Sequence, residues 1–480
     1  MNLSNTHCYI APANPAGRRL MEQCLHKRIN ILGLVDNMKS GEGITSPSSV
    51  SATEKIIIAY GGFQQIVAEE LLKRGLNSSQ LLVESDNGDI TPYKRTLITQ
   101  FRQFSLACQV AVIHTLRKLP YRGQRVYYAE GFADANILTV YQQDLKSNQN
   151  VVLIVDKPDA SPTDIKSINF KQKPINCFLK MVFARSYIVD HEYASLIFSI
   201  LRTSVPVIQL WHGLPYKHLS GNKHYPNVND HSFISSSQWF NENVFKAIFQ
   251  CQHFYDFGYP RNDVFFQTLE QRSWINSESL EALKNVVEKT GELIFYAPTY
   301  RDNQNNNYPI DFAKLNQWCI NHNKSFIVKF HPFIYRTIVE NMGIAQEGNI
   351  ISLPDYEHIY LYPNGKNAYA WLADAEMLIT DYSSIAFDFL LTHKPIIYFQ
   401  YDKQEYTQVR GKQLISDEIF IQGPQVDNFN SLLNTMTELV NAQVDLSQQQ
   451  SCRDYNLHSQ RKACTPDILK IIDKAENDAN

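Results

Sequence analysis

Residues 375–391 read AEMLITDYSSIAFDFLL. The apolar stretch Met377 to Ile379 has the length and composition of a buried strand, and Thr380, Asp381, Tyr382, Ser383 and Ser384 interrupt it. Helical spacing resumes from Ile385 to Leu391, so a strand, a hydroxyl-rich turn and a helix follow one another without a linker. Such a turn offers free backbone N–H groups, hydroxyls and the positive end of a helix dipole, a combination suited to an anion such as a diphosphate. Asp381 and Ser383 have a simpler use as helix caps, and the two uses are compatible because a capping hydroxyl still presents neighbouring amides.

Working outward, the same plan of apolar strand and polar exit recurs in three segments. In VPVIQLWHGLPYKHL (205–219), Gly213 and Pro215 force a sharp exit and leave His212 at the strand's carboxyl edge. An imidazole there suits a general base, and Lys217 is placed to meet phosphate. An isolated His after a strand more often just hydrogen-bonds its turn. LIFYAPTYRD (293–302) ends in Pro298, Thr299 and Arg301, whose fork of donors matches phosphate oxygens, although an Arg after a strand is commonplace. In SFIVKFHPF (325–333), alternation puts Lys329 and His331 on one side before Pro332 stops the ladder; a solvated Lys and a capping His are the bland alternative.

Between and before these segments, strands alternate with helices. Expected strands are Cys8 to Ala11, Ile29 to Val35, Ile56 to Ala59, Arg125 to Ala129, Val151 to Val155, Phe183 to Val189, Val205 to Leu210, Leu293 to Tyr296, Phe326 to Phe330 and Pro395 to Phe399. Helices are expected over 21–26, 64–76 and 103–116, and a polar, turn-rich break at 85–95. This predicts an α/β chain of roughly three compact units: an accessory Rossmann-like domain over 1–95, and two larger lobes over 96–262 and 263–480 with the site in their cleft. Asp36 ends an early strand where a dinucleotide ribose could be held, but GxGxxG is absent and Gly17 stands alone, which favours an accessory domain without cofactor.

Composition narrows the partners. The chain has 480 residues, 44% hydrophobic and 19% charged, with 45 Lys plus Arg against 48 Asp plus Glu, as in a globular protein without the basic field of a nucleic-acid binder. The eight Cys are scattered with no CxxC pair, which suits reduced thiols. The N-terminus lacks the basic stretch and apolar core of a secretory signal, and no apolar run reaches the roughly 18 residues of a spanning helix, so a cytoplasmic location is expected. No DxD-like carboxylate pair sits beside a strand end, and no metal or resident cofactor is expected.

Taken in order, WHGLPYK (211–217), GYPRND (258–263), YAPTYR (296–301), KFHP (329–332), TDYSSIAFDF (380–389) and KPIIYFQYDKQEYTQVRG (394–411) resemble the CDP-glycerol glycerophosphotransferase family of teichoic acid and capsule synthesis. The resemblance covers roughly residues 180–415. It implies a GT-B-like fold of two facing Rossmann-type lobes, with a small additional N-terminal α/β domain here. It also implies a CDP-glycerol or CDP-ribitol donor, CMP as leaving group, an oligosaccharide or lipid-linked polymer as acceptor, and peripheral contact with the inner membrane face or capsule assembly proteins.

Carried over by position, His212 and His331 match the family's functional histidines, and Thr380, Asp381, Ser383 and Ser384 its donor phosphate-binding turn. Lys217, Thr299, Arg301 and Lys329 fall in matching motifs and are further donor-binding candidates. Two departures are visible: Leu214 follows WHG where the family often has a small hydroxyl residue, and Lys329 stands where it often has Arg. A difference from wall teichoic acid polymerases is therefore expected on the acceptor side. Fold alone does not fix chemistry, so a GT-B nucleotide-sugar glycosyltransferase is the alternative reading and a non-catalytic polymer-assembly scaffold the second.

Overall fold

A computed structural model of the chain describes residues 3, 6–13, 15–36, 43–60, 64–85, 88–94, 111–119, 123–131, 135–156, 165–191, 205–215, 230–249, 251–268, 270–272, 277–299, 301, 308–330, 332–341, 350–363, 367–410, 414–441 and 460–478. Among these, the residues up to Val112 form one compact unit and those from Ile113 onward a second.

The first unit is built on β1 (Cys8–Ala11), β2 (Ile31–Val35), β3 (Ile44–Thr45), β4 (Lys55–Ile58), β5 (Leu81–Glu84) and β6 (Ile90–Pro92), in the order β3-β2-β1-β4-β5-β6. Only β6 runs antiparallel to its neighbour. The helix Pro15–His26 leaves β1 so tightly that a Cβ on Gly17 would lie 2.0 Å from the carbonyl oxygen of Pro12, which explains the lone glycine without a cofactor. Asp36, the acid considered for a ribose, accepts the Ala13 N–H at 2.9 Å. The stretch expected to be a break, 85–95, contains β6, and Tyr93 behind it is buried. Polar turn residues concealed this strand because it is short and on an edge.

The second unit holds two sheets. One contains β7 (Arg125–Ala129), β8 (Val151–Val155), β9 (Ile168–Asn169), β10 (Ser186–Val189), β11 (Val207–Gln209), β12 (Asp230–Ile234) and β13 (Cys251–Tyr255), all parallel, in the order β13-β12-β11-β10-β7-β8-β9. The other contains β14 (Glu292–Ala297), β15 (Lys324–Val328), β16 (Ile351–Leu353), β17 (Tyr356–Leu361), β18 (Met377–Thr380), β19 (Ile396–Phe399) and β20 (Gln425–Val426), in the order β16-β17-β15-β14-β18-β19-β20. Here β16 alone is antiparallel. Each sheet winds outward in both directions from its first strand, and the reversal of strand order leaves a crevice at the carboxyl ends. Runs such as VVLIV and IIYF are buried along their whole length, as parallel strands covered on both faces must be. Together the two sheets make the Rossmann-type lobes of a GT-B-like fold.

The stretch 263–480 does not stay in one lobe. The terminal helix Thr465–Asp478 buries Ile468, Ile472 and Ala475 in the core around Tyr127, Leu153 and Ile188 of the first lobe. Each such Ile stabilises by roughly 1.5–3 kcal/mol. Arg125, 2% exposed, meets Asp144 at 2.7 Å, Glu476 at 2.9 Å and Asp473 at 2.6 Å, so its buried charge is balanced by the returning helix. Of the helix expected over 103–116, residues 103–110 lie outside the described ones; 111–117 are helical.

Candidate active site

In the first lobe, β11 exits through a strained turn. Trp211 has φ 53° and Gly213 φ 137°. A left-handed backbone costs a non-glycine residue about 1–2 kcal/mol, and packing holds Trp211 there. Its ring lies 4.7 Å from that of Phe249 and 5.9 Å from that of Phe233, its N–H donates to Gln209 Oε1 at 2.9 Å, and its carbonyl accepts from Asn136 at 2.7 Å. His212, next along, lies with its ring 4.1 Å from Trp211.

The end of β10 adds two groups. Asp190, fully buried, meets His191 Nδ1 at 2.9 Å, and the His191 ring stacks on His212 with centroids 4.6 Å apart and planes 10° from parallel. His212 Nδ1 lies 3.3 Å from the Asp190 carbonyl oxygen. A carbonyl only accepts, so this contact puts the proton on Nδ1 and makes Nε2 the basic nitrogen of the ring.

In the second lobe, the turn after β18 is fastened from within. Thr380 Oγ1 donates to the Ala297 carbonyl at 2.8 Å. Asp381 accepts from the N–H of Thr299 at 3.0 Å, from the N–H of Tyr382, and from Arg301 Nη2 at 2.8 Å. Arg301, 3% exposed, also binds Asp402 through Nε at 2.5 Å and the Thr299 carbonyl through Nη1 at 2.5 Å. The rings of Tyr382, Tyr401 and Tyr406 lie 5.2, 5.5 and 5.3 Å from its Cζ. Burial works against the charge, but the Asp381 and Asp402 carboxylates outweigh it and hold the guanidinium protonated. Arg301 and Asp381, singled out in the sequence as phosphate ligands, are thus engaged with each other, and their geometry is that of a brace under the turn.

Other polar groups at this edge are uncommitted. The Lys329 ammonium, half-buried just past β15, makes no hydrogen bond or ion pair with a described residue, and loss of water lowers its pKa. Thr299 Oγ1 is buried without a partner among the described residues. Ser384 makes no capping bond, and Ser383 Oγ accepts the Ile385 N–H at a long 3.4 Å. The helix Ile385–Phe389 has only five residues before a 3-10 turn, so a helix dipole contributes less to anion binding than the sequence pattern suggested.

The two turns meet through Arg261, in the 3-10 turn Pro260–Phe266. Its Nη1 donates to the His212 carbonyl at 2.6 Å and its Nη2 to Asp388 Oδ2 at 2.7 Å. A Cβ on Gly213 would lie 2.7 Å from Arg261 Nη2 and 3.6 Å from Ser384 Oγ, so the glycine permits the close approach. The structure therefore brings the His212 turn beside Ser384; His331 and Lys217 lie outside the described residues. Asp190, His191, Arg261 and Asp388 were not singled out from the sequence. The Asp-His pair ending the apolar run SYIVDH was a readable signal, as was the charged PRND of the motif at 258–263.

A family model described as CDP-Glycerol:Poly(glycerophosphate) glycerophosphotransferase matches residues 116–462. The chain is 26% identical over 268 residues to teichoic acid ribitol-phosphate polymerase TarK of Staphylococcus aureus, covering 52% of this chain and 49% of that protein. It is 24% identical over 318 residues to a teichoic acid glycerol-phosphate primase of Bacillus spizizenii, covering 62% and 76% respectively. The chain thus spans about half the length of the first of these relatives. Among solved structures, the wall teichoic acid polymerase TagF, in a variant soaked with CDPG, superposes with a TM-score of 0.61 at 18% identity, covering 80% of this chain and 99% of that one, a likeness of fold.

Proposed function

This chain belongs to the CDP-glycerol:poly(glycerophosphate) glycerophosphotransferase family, and on that premise we propose that it transfers a polyol phosphate from a CDP-activated donor to a hydroxyl of a growing teichoic-acid-like or capsule polymer. The observation that carries this reading is the pairing of a base turn with uncommitted anion-binding groups: the turn that carries His212 approaches Ser384 at Gly213, while the Lys329 ammonium and Thr299 Oγ1 stand without protein partners among the described residues. An acceptor hydroxyl gives its proton to His212 Nε2 as its oxygen attacks the phosphorus bearing the polyol, and the bond to the CMP oxygen breaks. Alignment and charge stabilisation supply most of such an acceleration. Lys329, Thr299, Ser383 and Ser384 meet the diphosphate, His331 and Lys217 add charge, and Arg301 and Asp381 keep the turn in place. The proposal needs no resident cofactor.

Glycerol is the expected polyol, with ribitol as the alternative. No helix among the described residues is long and apolar enough to cross a membrane, and the proposed contact with a lipid-linked acceptor is peripheral. The test is incubation of the protein with CDP-glycerol, CDP-ribitol and UDP-sugars, each with capsule and teichoic acid oligomers. Release of CMP with extension of the acceptor is expected. Release of UDP with sugar transfer would replace the proposal by the glycosyltransferase reading, and no release from any donor by a scaffold.

A further inference from the structure

Two consecutive carbonyls of the strained His212 turn are held from outside it: that of Trp211 by Asn136, and that of His212 by Arg261. Arg261, 7% exposed, is itself fastened through its backbone, both terminal nitrogens and its flat faces. Its backbone N–H donates to Asn136 Oδ1 at 3.0 Å, and its guanidinium carbon lies 5.2 Å from the ring centre of Tyr259 and 5.1 Å from that of Tyr369. The acceptor of its other arm, Asp388, is 1% exposed and receives Asn262 at 2.9 Å and the Tyr369 hydroxyl at 2.7 Å as well. Asp388 belongs to the short helix that starts directly after Ser384. One guanidinium thus spans from the backbone of the base turn in the first lobe to the helix behind the donor turn in the second.

We infer that Arg261 is a positioning residue for the transfer, fixing the backbone of His212 in register with Ser384 through Asp388. The strain in the turn makes such a hold necessary, because a left-handed Trp relaxes unless its surroundings over-determine it. A planar fork is required, since the two acceptors lie in different elements and a single ammonium cannot meet both in fixed directions. The role rests on the proposed function only for its catalytic consequence; the hold on the turn is a property of the fold.

The test uses Arg261→Lys, Asp388→Asn and Arg261→Ala in the full chain, with CMP release from CDP-glycerol and amide hydrogen exchange at 211–213 as separate readouts. Arg261→Lys and Asp388→Asn should lower kcat by about tenfold or more with the donor KM within about threefold, and speed exchange in the turn. Millimolar guanidinium should restore part of the Arg261→Ala activity. Should Arg261→Ala fail to fold, the other two decide. A folded Arg261→Lys enzyme with wild-type kcat, or one whose whole defect lies in KM, would overturn the inference. If the wild type releases no CMP from any CDP-polyol, the proposed function fails instead; unchanged exchange at 211–213 in Arg261→Lys would still overturn the positioning role.

Discussion

The two turns that meet in the cleft are built in opposite ways. The His212 turn is strained, with Trp211 and Gly213 at positive φ, and its carbonyls are held by residues far away in the chain, one of them tied across to the other lobe. The turn after β18 is braced inside its own lobe by Asp381, Arg301 and Asp402, and its serine hydroxyls carry little structural duty. A residue that moves a proton must be aimed, and its aim can be set by the partner lobe. A surface that holds a charged donor must instead keep its shape while its outward groups stay free. Charge at a strand end therefore divides into braces and ligands, and burial with partners tells them apart.

The largest effect should come from breaking the brace. Arg301→Ala leaves Asp381 buried, and Asp402 partly buried, without their cation and should cost about 3–5 kcal/mol of stability, read by denaturant unfolding. A loss below about 1 kcal/mol with donor affinity abolished would reverse the comparison and make Arg301 a ligand. His212→Ala comes next: turnover should fall roughly a hundredfold with the fold intact, measured as CMP release. Near-normal turnover in the folded variant would end the assignment of the base.

These distinctions explain what could be read from the chain beforehand. Strands such as Val151–Val155 and Arg125–Ala129 were legible to the residue because an apolar run flanked by polar turns has few other uses. The edge strand β6, the polar-bearing β12 (DHSFI) and β13 (CQHFY), and the return of the terminal helix to the first lobe were not, since each depends on a neighbour that local pattern does not name. At the site, His212 and the hydroxyl turn stood out by type and position. The engagement of Arg301 with Asp402 joins residues 101 apart in sequence, and that of Arg261 with Asp388 joins residues 127 apart; only the folded chain separates these braces from ligands.

The uncommitted groups should affect binding and leave the fold alone. Lys329→Gln should weaken the CDP-donor roughly tenfold to a hundredfold, as expected for a lost charged hydrogen bond. Burial lowers the pKa of Lys329 from that of an ordinary lysine, and its cationic form binds the anion. Donor affinity is therefore fully present at lower pH and lost as pH rises through that lowered pKa; Lys329→Arg should flatten the alkaline loss in a calorimetric titration series. An unchanged alkaline profile in Lys329→Arg would exclude this lysine from the donor site. The double substitution Ser383→Ala, Ser384→Ala should weaken donor binding by about tenfold, with unfolding barely shifted because neither hydroxyl makes a short capping bond. A loss of stability with donor affinity intact would make them caps.

The smallest effect is the most discriminating. Thr299 has its N–H engaged by Asp381 while its buried Oγ1 has no partner among the described residues. Burying a hydroxyl without a hydrogen bond costs about 1–3 kcal/mol, a cost that folding alone gives no reason to retain. Thr299→Val keeps the side-chain shape and the backbone bond to Asp381 and removes only the hydroxyl. Without donor, the variant should be as stable as the wild type or more stable by up to about 1 kcal/mol. With donor, affinity should fall by about threefold to tenfold, the net worth of one ordinary hydrogen bond of about 0.5–1.5 kcal/mol. Stability gained and affinity lost in the same substitution marks a group held ready for a ligand. Affinity unchanged beside the gain would leave the hydroxyl without a function and move the donor away from the end of β14.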